Sequence, residues 1–285
     1  MLEIVIWDVQ HGSSAYVKTP NGKHIVIDLG TGRYSNKEEF SPILHLKNNY
    51  GVKKVDQVII THPHTDHIDD IMNFDEVSPG CLTRPKHLTE EDIRKANPSS
   101  DSKKNDKYIE INNRYNMPVS AGDNPTLPEN NGNVSIKTFI PYECGHSNIN
   151  NHSVVTVIEY LGIKVIIPGD NESPSWKELL EDSSFVDAIK DACIFVASHH
   201  GRESGYYSDL FDNFKPDLTI VSDGPEGETS VTSKYTNVAK GWTVYKRSDN
   251  TSSKRYCLTT RKDGTIVIKI GKNSDNGKYM NVTVD

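Results

Sequence analysis

No stretch of this 285-residue chain has the ~18 consecutive apolar positions needed to cross a bilayer. Its opening, Met1-Leu2-Glu3-Ile4-Val5-Ile6-Trp7, is short and carries no basic leader, so it reads as a first strand and not as a signal peptide. Cysteine is sparse. Cys81, Cys144, Cys193 and Cys257 lie far apart and form no C-x-x-C pair, which reads as free thiols in a reducing cytoplasm. Positive charge is also short: 32 Lys and Arg face 39 Asp and Glu, a net charge of −7. That balance argues against a broad basic surface for duplex DNA. It leaves room for a nucleotide or nucleic-acid substrate if bound metal ions supply local positive charge. With 35% hydrophobic and 25% charged residues the composition is that of a soluble globular protein. Neither a repeat nor a separating linker is evident, so residues 1–285 read as a single domain.

What the chain does have is a run of ligand-type residues, Thr61-His62-Pro63-His64-Thr65-Asp66-His67. Val55-Asp56-Gln57-Val58-Ile59-Ile60 precedes it and reads as a buried strand that ends where the histidines begin. His62 and His64 are two apart, so on extended backbone their imidazoles can point the same way. Asp66 and His67 fit the first turn of a following helix. Imidazole nitrogen and carboxylate oxygen suit a borderline divalent ion such as zinc. The competing reading is a polar loop with stray histidines, and a motif this long and this regularly spaced argues against it.

In order, strands are expected at Leu2–Val9, Ala15–Thr19 and His24–Asp28, the last two joined through the Asn21-Gly22 turn. A helix follows at Pro42–Asn49 with Ser41 as N-cap. Residues from about 75 to 133 read as a polar insertion. Within it, Thr89-Glu90-Glu91-Asp92 looks like a capped helix start, and Ser99 to Lys107 like a mobile loop. Lys103, Lys104 and Lys107 could meet an anionic substrate, although such runs are more often a solvated face. Further strands are expected at 134–139, 153–161, 162–167, 192–197 and 218–221, with helices at 174–180 and 207–213. A closing hairpin is expected between Tyr256–Thr260 and Ile266–Ile270. Helices alternate with strands, and many strands adjoin in hairpins. Two mixed sheets with helices outside would satisfy both patterns.

These pieces resemble the metallo-β-lactamase-fold hydrolases. The matching features are Asp28 in Val-Ile-Asp-Leu-Gly, His62-x-His64-x-Asp66-His67, Asp170 in Pro-Gly-Asp, and His199-His200-Gly201. Asp8-Val9-Gln10-His11-Gly12, Thr19-Pro20-Asn21-Gly22, Asn150-Asn151-His152-Ser153-Val154-Val155 and Ser198-His199-His200-Gly201 are similar to the soluble hydrolase domain of ComEC-type DNA-uptake proteins. The chain departs from that branch at Ser13-Ser14, where an acidic residue is usual, and in its middle insertion.

The resemblance implies a mixed α/β (α+β) fold, a four-layer αβ/βα sandwich with a two-metal cleft. By the same resemblance, His62 and His64 bind the first divalent ion, Asp66 and His67 the second, and Asp170 bridges them. Either His199 or His200 adds a ligand to the second. The third ligand of the first ion falls among His146, Asn150, Asn151 and His152, with His152 the first choice and Asn151 the second. The nearby asparagines slightly favour manganese over zinc. Asp28 is expected to orient a ligand imidazole or cap its turn. His11, His24, His45 and His87 have no ligand spacing and read as structural or surface residues.

A water held between two divalent ions ionises near neutral pH, which needs no Ser or Cys nucleophile. Asp66, His199 and His200 are the expected catalytic residues, with Tyr206 or Tyr207 as less favoured helpers at the leaving oxygen. The substrate expected from the resemblance is a DNA phosphodiester. A cyclic nucleotide, small phosphoester, lactone or thioester is the alternative, and the acidic charge fits it somewhat better.

Overall fold

Alternation along the strands sorts the apolar residues onto two faces. In the first strand Leu2, Ile4 and Ile6 enter one core while Val5 enters another, and Ile25/Ile27 against Val26 repeat the pattern. The computed structural model describes residues 1–32, 40–98, 102–224 and 230–285. β1 (Leu2–Ile6), β2 (Ala15–Lys18) and β3 (His24–Ile27) form the expected antiparallel meander. α1 (Pro42–Asn49) starts as expected, with the Ser41 side chain accepting from Leu44 N and Pro42 in the first turn, where its missing N–H costs nothing. Then come β4 (Gln57–Ile59), α2 (Thr65–Ile68), β5 (Cys81–Thr83), α3 (Glu90–Ala96) and α4 (Ser102–Arg114).

β6 (Ser135–Phe139), β7 (Val155–Tyr160) and β8 (Ile163–Ile167) begin the second half, followed by α5 (Ser173–Glu181), α6 (Ser183–Ile189), β9 (Ile194–Val196) and β10 (Leu218–Val221). The chain ends with α7 (Thr232–Val238), β11 (Trp242–Lys246), β12 (Thr251–Arg255), β13 (Cys257–Thr259), α8 (Thr260–Asp263), β14 (Ile266–Lys272) and β15 (Lys278–Val284).

The first sheet has nine strands in the order β12-β11-β15-β14-β1-β2-β3-β4-β5, and the second has six, β13-β10-β9-β8-β7-β6. Their facing sides share one apolar core that includes Ile27, Ile59, Val154, Ile167, Val196 and Ile268. Ile43, Leu46, Ile68, Ile93 and Ile111 cover the outer face of the first sheet. Trp176, Leu179, Phe185, Ile189 and Tyr235 cover the outer face of the second. These are the four layers expected, αβ/βα. No helix among the described residues is long and apolar enough to cross a membrane.

Three expectations are corrected. Residues 102–107 are not loop: they open α4, which buries Tyr108 and Ile111, while residues 99–101 lie outside the described residues. Lys104 does not await a substrate, because it is buried and paired with Asp69, and Lys107 pairs with Asp75 and Glu110. Residues 256–270 make no hairpin. β13 pairs with β10 in the second sheet and β14 with β1 in the first, so the chain crosses between sheets there. The closing hairpin is β14–β15.

The parallel run β3-β4-β5 in one sheet and β8-β9-β10 in the other aim their carboxyl ends at one edge. Open α/β sheets place ligands there. Val154 N donates to Thr61 O at 2.9 Å and joins the two halves at that edge. Gly169, at φ +62°, makes the approach possible: a Cβ there would lie 2.7 Å from Thr61 Cβ and 2.9 Å from Ser153 Cβ.

Candidate metal centre

β3 leads into Asp28, which turns with φ 60°. Its carboxylate accepts from Thr61 N (2.7 Å), Thr61 Oγ1 (2.8 Å) and His67 Nδ1 (2.8 Å). The last bond fixes the orientation of the His67 ring, so Nε2 is turned away from Asp28. That nitrogen is buried, has no hydrogen-bond partner, and lies 3.3 Å from Asp170 Oδ1. Asp28 therefore orients the His67 imidazole.

β4 delivers His62, whose Nε2 lies 2.9 Å from His64 Nδ1 and 3.9 Å from Asp170 Oδ2. Asp170, at the end of β8, thus stands between His62, His67 and the residues after β9. There the backbone takes the left-handed region twice, at His199 (φ 51°) and His200 (φ 53°). Such conformations cost on the order of 1–3 kcal/mol each in non-glycine residues and persist where the surroundings over-determine them. Here the turn aims both rings inward. His200 Nδ1 donates to Ser222 O at 3.0 Å, leaving Nε2 unpartnered, 3.2 Å from Asp66 Oδ2 and 3.4 Å from Asp170 Oδ2. His199 Nε2 is 3.9 Å from Asp170 Oδ2, and its Nδ1 is held by Glu172 (3.1 Å) and Ser204 (2.9 Å). Of the pair, His200 is the one set between the two carboxylates.

Charge in this cluster is strongly correlated. Burial alone would push His67 and His200 down; nearby carboxylates, Asp170 foremost, reverse this and hold His67 well above its usual value and His200 at about 10. Burial would push Asp66 and Asp170 up, yet His67 and His200 keep both below the usual carboxylate range. Burial, aided by His67, holds His62 far down. Buried carboxylates facing unpartnered imidazole nitrogens demand positive charge, which protons or divalent ions can supply. The donor set fits a pair of such ions, which His62, His64, Asp66, His67, Asp170 and His200 could hold.

The loop before β7 differs from expectation. It does not bring His152 to His62 and His64. The His152 ring lies against His87 and His146, with centroids at 4.9 Å in both cases. Asn151 Oδ1 is taken by Glu172 N (3.2 Å) and Ser175 Oγ (3.1 Å). Asn150 Oδ1 is buried without a partner, and Asn150 Nδ2 donates to Glu172 at 3.2 Å. Two histidines expected to be structural or surface residues, His11 and His87, belong to the clusters instead. His11 Nε2 sits 3.4 Å from Asp66 Oδ2, with its ring 4.9 Å from that of His200. His87 joins the outer cluster, where burial and the two neighbouring rings lower it to about 4. His11 belongs to the Asp8-Val9-Gln10-His11-Gly12 stretch, where no second ligand-type histidine stands nearby to mark it. Arg202 also reaches the centre, Nη1 lying 3.4 Å from His199 Nε2. Tyr206 packs among Phe211 and Tyr235, a core role. His24 and His45 are structural: His24 bonds the Tyr16 hydroxyl (2.7 Å) and His45 packs on Trp7.

Residues 7–182 match the metallo-β-lactamase superfamily, and the chain belongs to it. With its donor residues in place, it is a metal-dependent hydrolase of that superfamily. No curated protein matches the chain. Among solved structures it is similar to a mutant of the β-hydroxylase CmlA, at 10% identity over 93% of this chain and 54% of that one, TM-score 0.51. It is also similar to the metallo-β-lactamase fold protein YhfI of Bacillus subtilis, at 12% identity over 93% and 98%, TM-score 0.48. A diphosphatase of the PhnP family is 11% identical over 79% and 88%, TM-score 0.40. Likeness at such identities speaks for the fold alone, and fold does not fix reaction.

Proposed function

We propose that the chain is a phosphodiesterase that uses two divalent ions, manganese or zinc, and that its substrate is DNA. The observation that carries the reading is the buried set around Asp170, in which His67 Nε2 and His200 Nε2 face carboxylates and have no protein partner. A pair of divalent ions supplies Lewis acidity and an activated water when bound. The chain's own residues do the rest. Asp28 locks the His67 ring through Nδ1 and Ser222 locks the His200 ring through Nδ1, so both Nε2 atoms are fixed before substrate arrives. Arg202 beside His199 sets a guanidinium at the rim, a donor suited to a phosphate oxygen, and its Nε is buried with no partner. His11, beside Asp66, can hold a proton near the leaving oxygen.

DNA as the substrate rests on the resemblance to the DNA-uptake hydrolase domain. The net charge of −7 favours a second reading, a small phosphoester, cyclic nucleotide, lactone or thioester. The test is to incubate purified protein with manganese or zinc and with single- or double-stranded DNA, beside a panel of chromogenic phosphodiesters and lactones. DNA cleavage that Asp66→Ala abolishes supports the nuclease. Turnover of only the small substrates favours the second reading. Activity on neither, or DNA cleavage unchanged in Asp66→Ala, overturns the proposal.

A further inference from the structure

We propose that His87, His146 and His152 form a separate metal site that takes one borderline divalent ion, zinc before others. One ligand nitrogen from each residue lies within 4.8 Å of the other two. Zinc with Zn–N of about 2.0–2.1 Å in a tetrahedral shell sets its nitrogens roughly 3.4 Å apart, so modest side-chain rotation closes the site. The closest approach is already 2.9 Å, between His87 Nε2 and His152 Nδ1.

Hydrogen bonding within the protein does not satisfy these rings. His87 Nδ1 and His152 Nε2 are both buried and without a partner, and His152 is fully inaccessible. The two facing nitrogens, His87 Nε2 and His152 Nδ1, share one proton, so one of them already turns a lone pair into the gap between the rings, and an ion that displaces the proton takes both. A neutral imidazole nitrogen with its lone pair turned inward is the form that binds metal. The third ring is oriented from behind: His146 Nδ1 donates to Asp92 Oδ2 at 2.8 Å, which presents Nε2 as a lone pair. Histidines that bind metal commonly have such a carboxylate behind them. Asp92 Oδ2 also accepts from Thr89 N (2.8 Å) and Thr89 Oγ1 (2.7 Å), so the anchoring oxygen is itself fixed.

The donor chemistry sets this cluster apart from the centre at Asp170. Three imidazoles with no carboxylate among the ligands suit zinc, copper, nickel or cobalt, and do not suit magnesium or calcium. His146 is partly exposed, which gives an ion a way in. The three residues come from two segments, one after β5 and one before β7. An ion there ties the first half of the chain to the second outside the sheets, next to the loop whose Asn150 and Asn151 hold Glu172.

The test uses the full chain stripped with chelator, re-equilibrated with zinc and desalted, then read by metal analysis and by competition with a chromophoric chelator. His87→Gln and His146→Gln are each expected to bind one zinc equivalent fewer than wild type, or to hold it at least tenfold more weakly. Both variants should also lose part of the zinc-induced rise in Tm. Cobalt(II) loading adds a spectrum: visible bands from this site should vanish in His146→Gln and survive in Asp66→Asn/Asp170→Asn. Should His87→Gln fail to fold, His146→Gln decides, since its half-exposed ring carries no core packing. Equal zinc equivalents, affinities and cobalt spectra in wild type and His146→Gln would overturn the proposal and leave three rings that only pack, with Tyr142 tilted against His87. None of these readouts depends on hydrolysis.

Discussion

Two histidine clusters stand in this molecule and are built in opposite ways. The one around Asp170 sits at strand ends, is mostly buried, and mixes imidazoles with carboxylates. The one around His152 sits on loops, opens to solvent at His146, and has its only carboxylate behind a ring. Strand ends buy positional accuracy through backbone that cannot move without disturbing two sheets. Loops bring residues together with no such constraint, and a bound ion would itself supply the rigidity. The first design suits chemistry on a substrate, and the second suits holding parts of the chain together.

Breaking Asp170 should have the largest effect and should touch one cluster only. Asp170→Asn removes the carboxylate shared by His62, His67 and His200, and several kcal/mol of transition-state stabilisation should go with it. That corresponds to a fall in kcat on the order of 10³-fold. Metal analysis should find the strand-end ions weakened and the zinc at His87 unchanged; loss of both together would erase the distinction between the clusters.

Glycine separates the two regions next. Gly169→Ala must force a side chain between Thr61 and Ser153 at positive φ, which should cost about 2–3 kcal/mol by chemical denaturation. Gly145→Ala, beside His146 in open space, should shift stability by less than about 0.5 kcal/mol. Asp28→Asn comes third: it loosens the His67 ring, and titration should show metal affinity at the strand-end centre reduced about 10–100-fold with the His87 site unaffected.

The smallest effect is expected on the surface. Asp75 pairs with Lys107 and Arg114 of α4, and although burial opposes it, those two cations hold its carboxyl below the usual value. A depressed folded pKa adds stability above the unfolded pKa, which is lost as pH falls through the folded one. Asp75→Asn should therefore cost under about 1 kcal/mol at pH 7, because the pair is half exposed, and progressively less as pH falls through the folded value, as denaturation at a series of pH values would show.

The strand-end cluster was half legible in the sequence. His62, His64, Asp66 and His67 are close neighbours in the chain, so spacing alone exposes them. Asp170 and His200 are single residues whose meaning comes from the fold, and they were reached only through resemblance. The loop cluster was illegible for the same reason carried further, since 65 positions separate His87 from His152 and only topology joins them. Elements followed a similar rule. α1 announced itself through Ser41 and Pro42. β5 has three residues, too few for a period, and α4 hides its buried face behind Lys104 and Asn105. A buried lysine reads as surface until its partner, Asp69, is known.

The crossing at β13–β14 bears on how the molecule is made. Ile6 pairs with Ile266, 260 positions later. On a ribosome, every residue of both histidine clusters emerges while β1 still lacks the neighbour on one side. Until β14 arrives, that strand presents unpaired amides and carbonyls, an invitation to stick to other chains. A nascent chain that captured its ions early would hold them in an unfinished sheet, so metal supply during synthesis bears on yield as well as on activity.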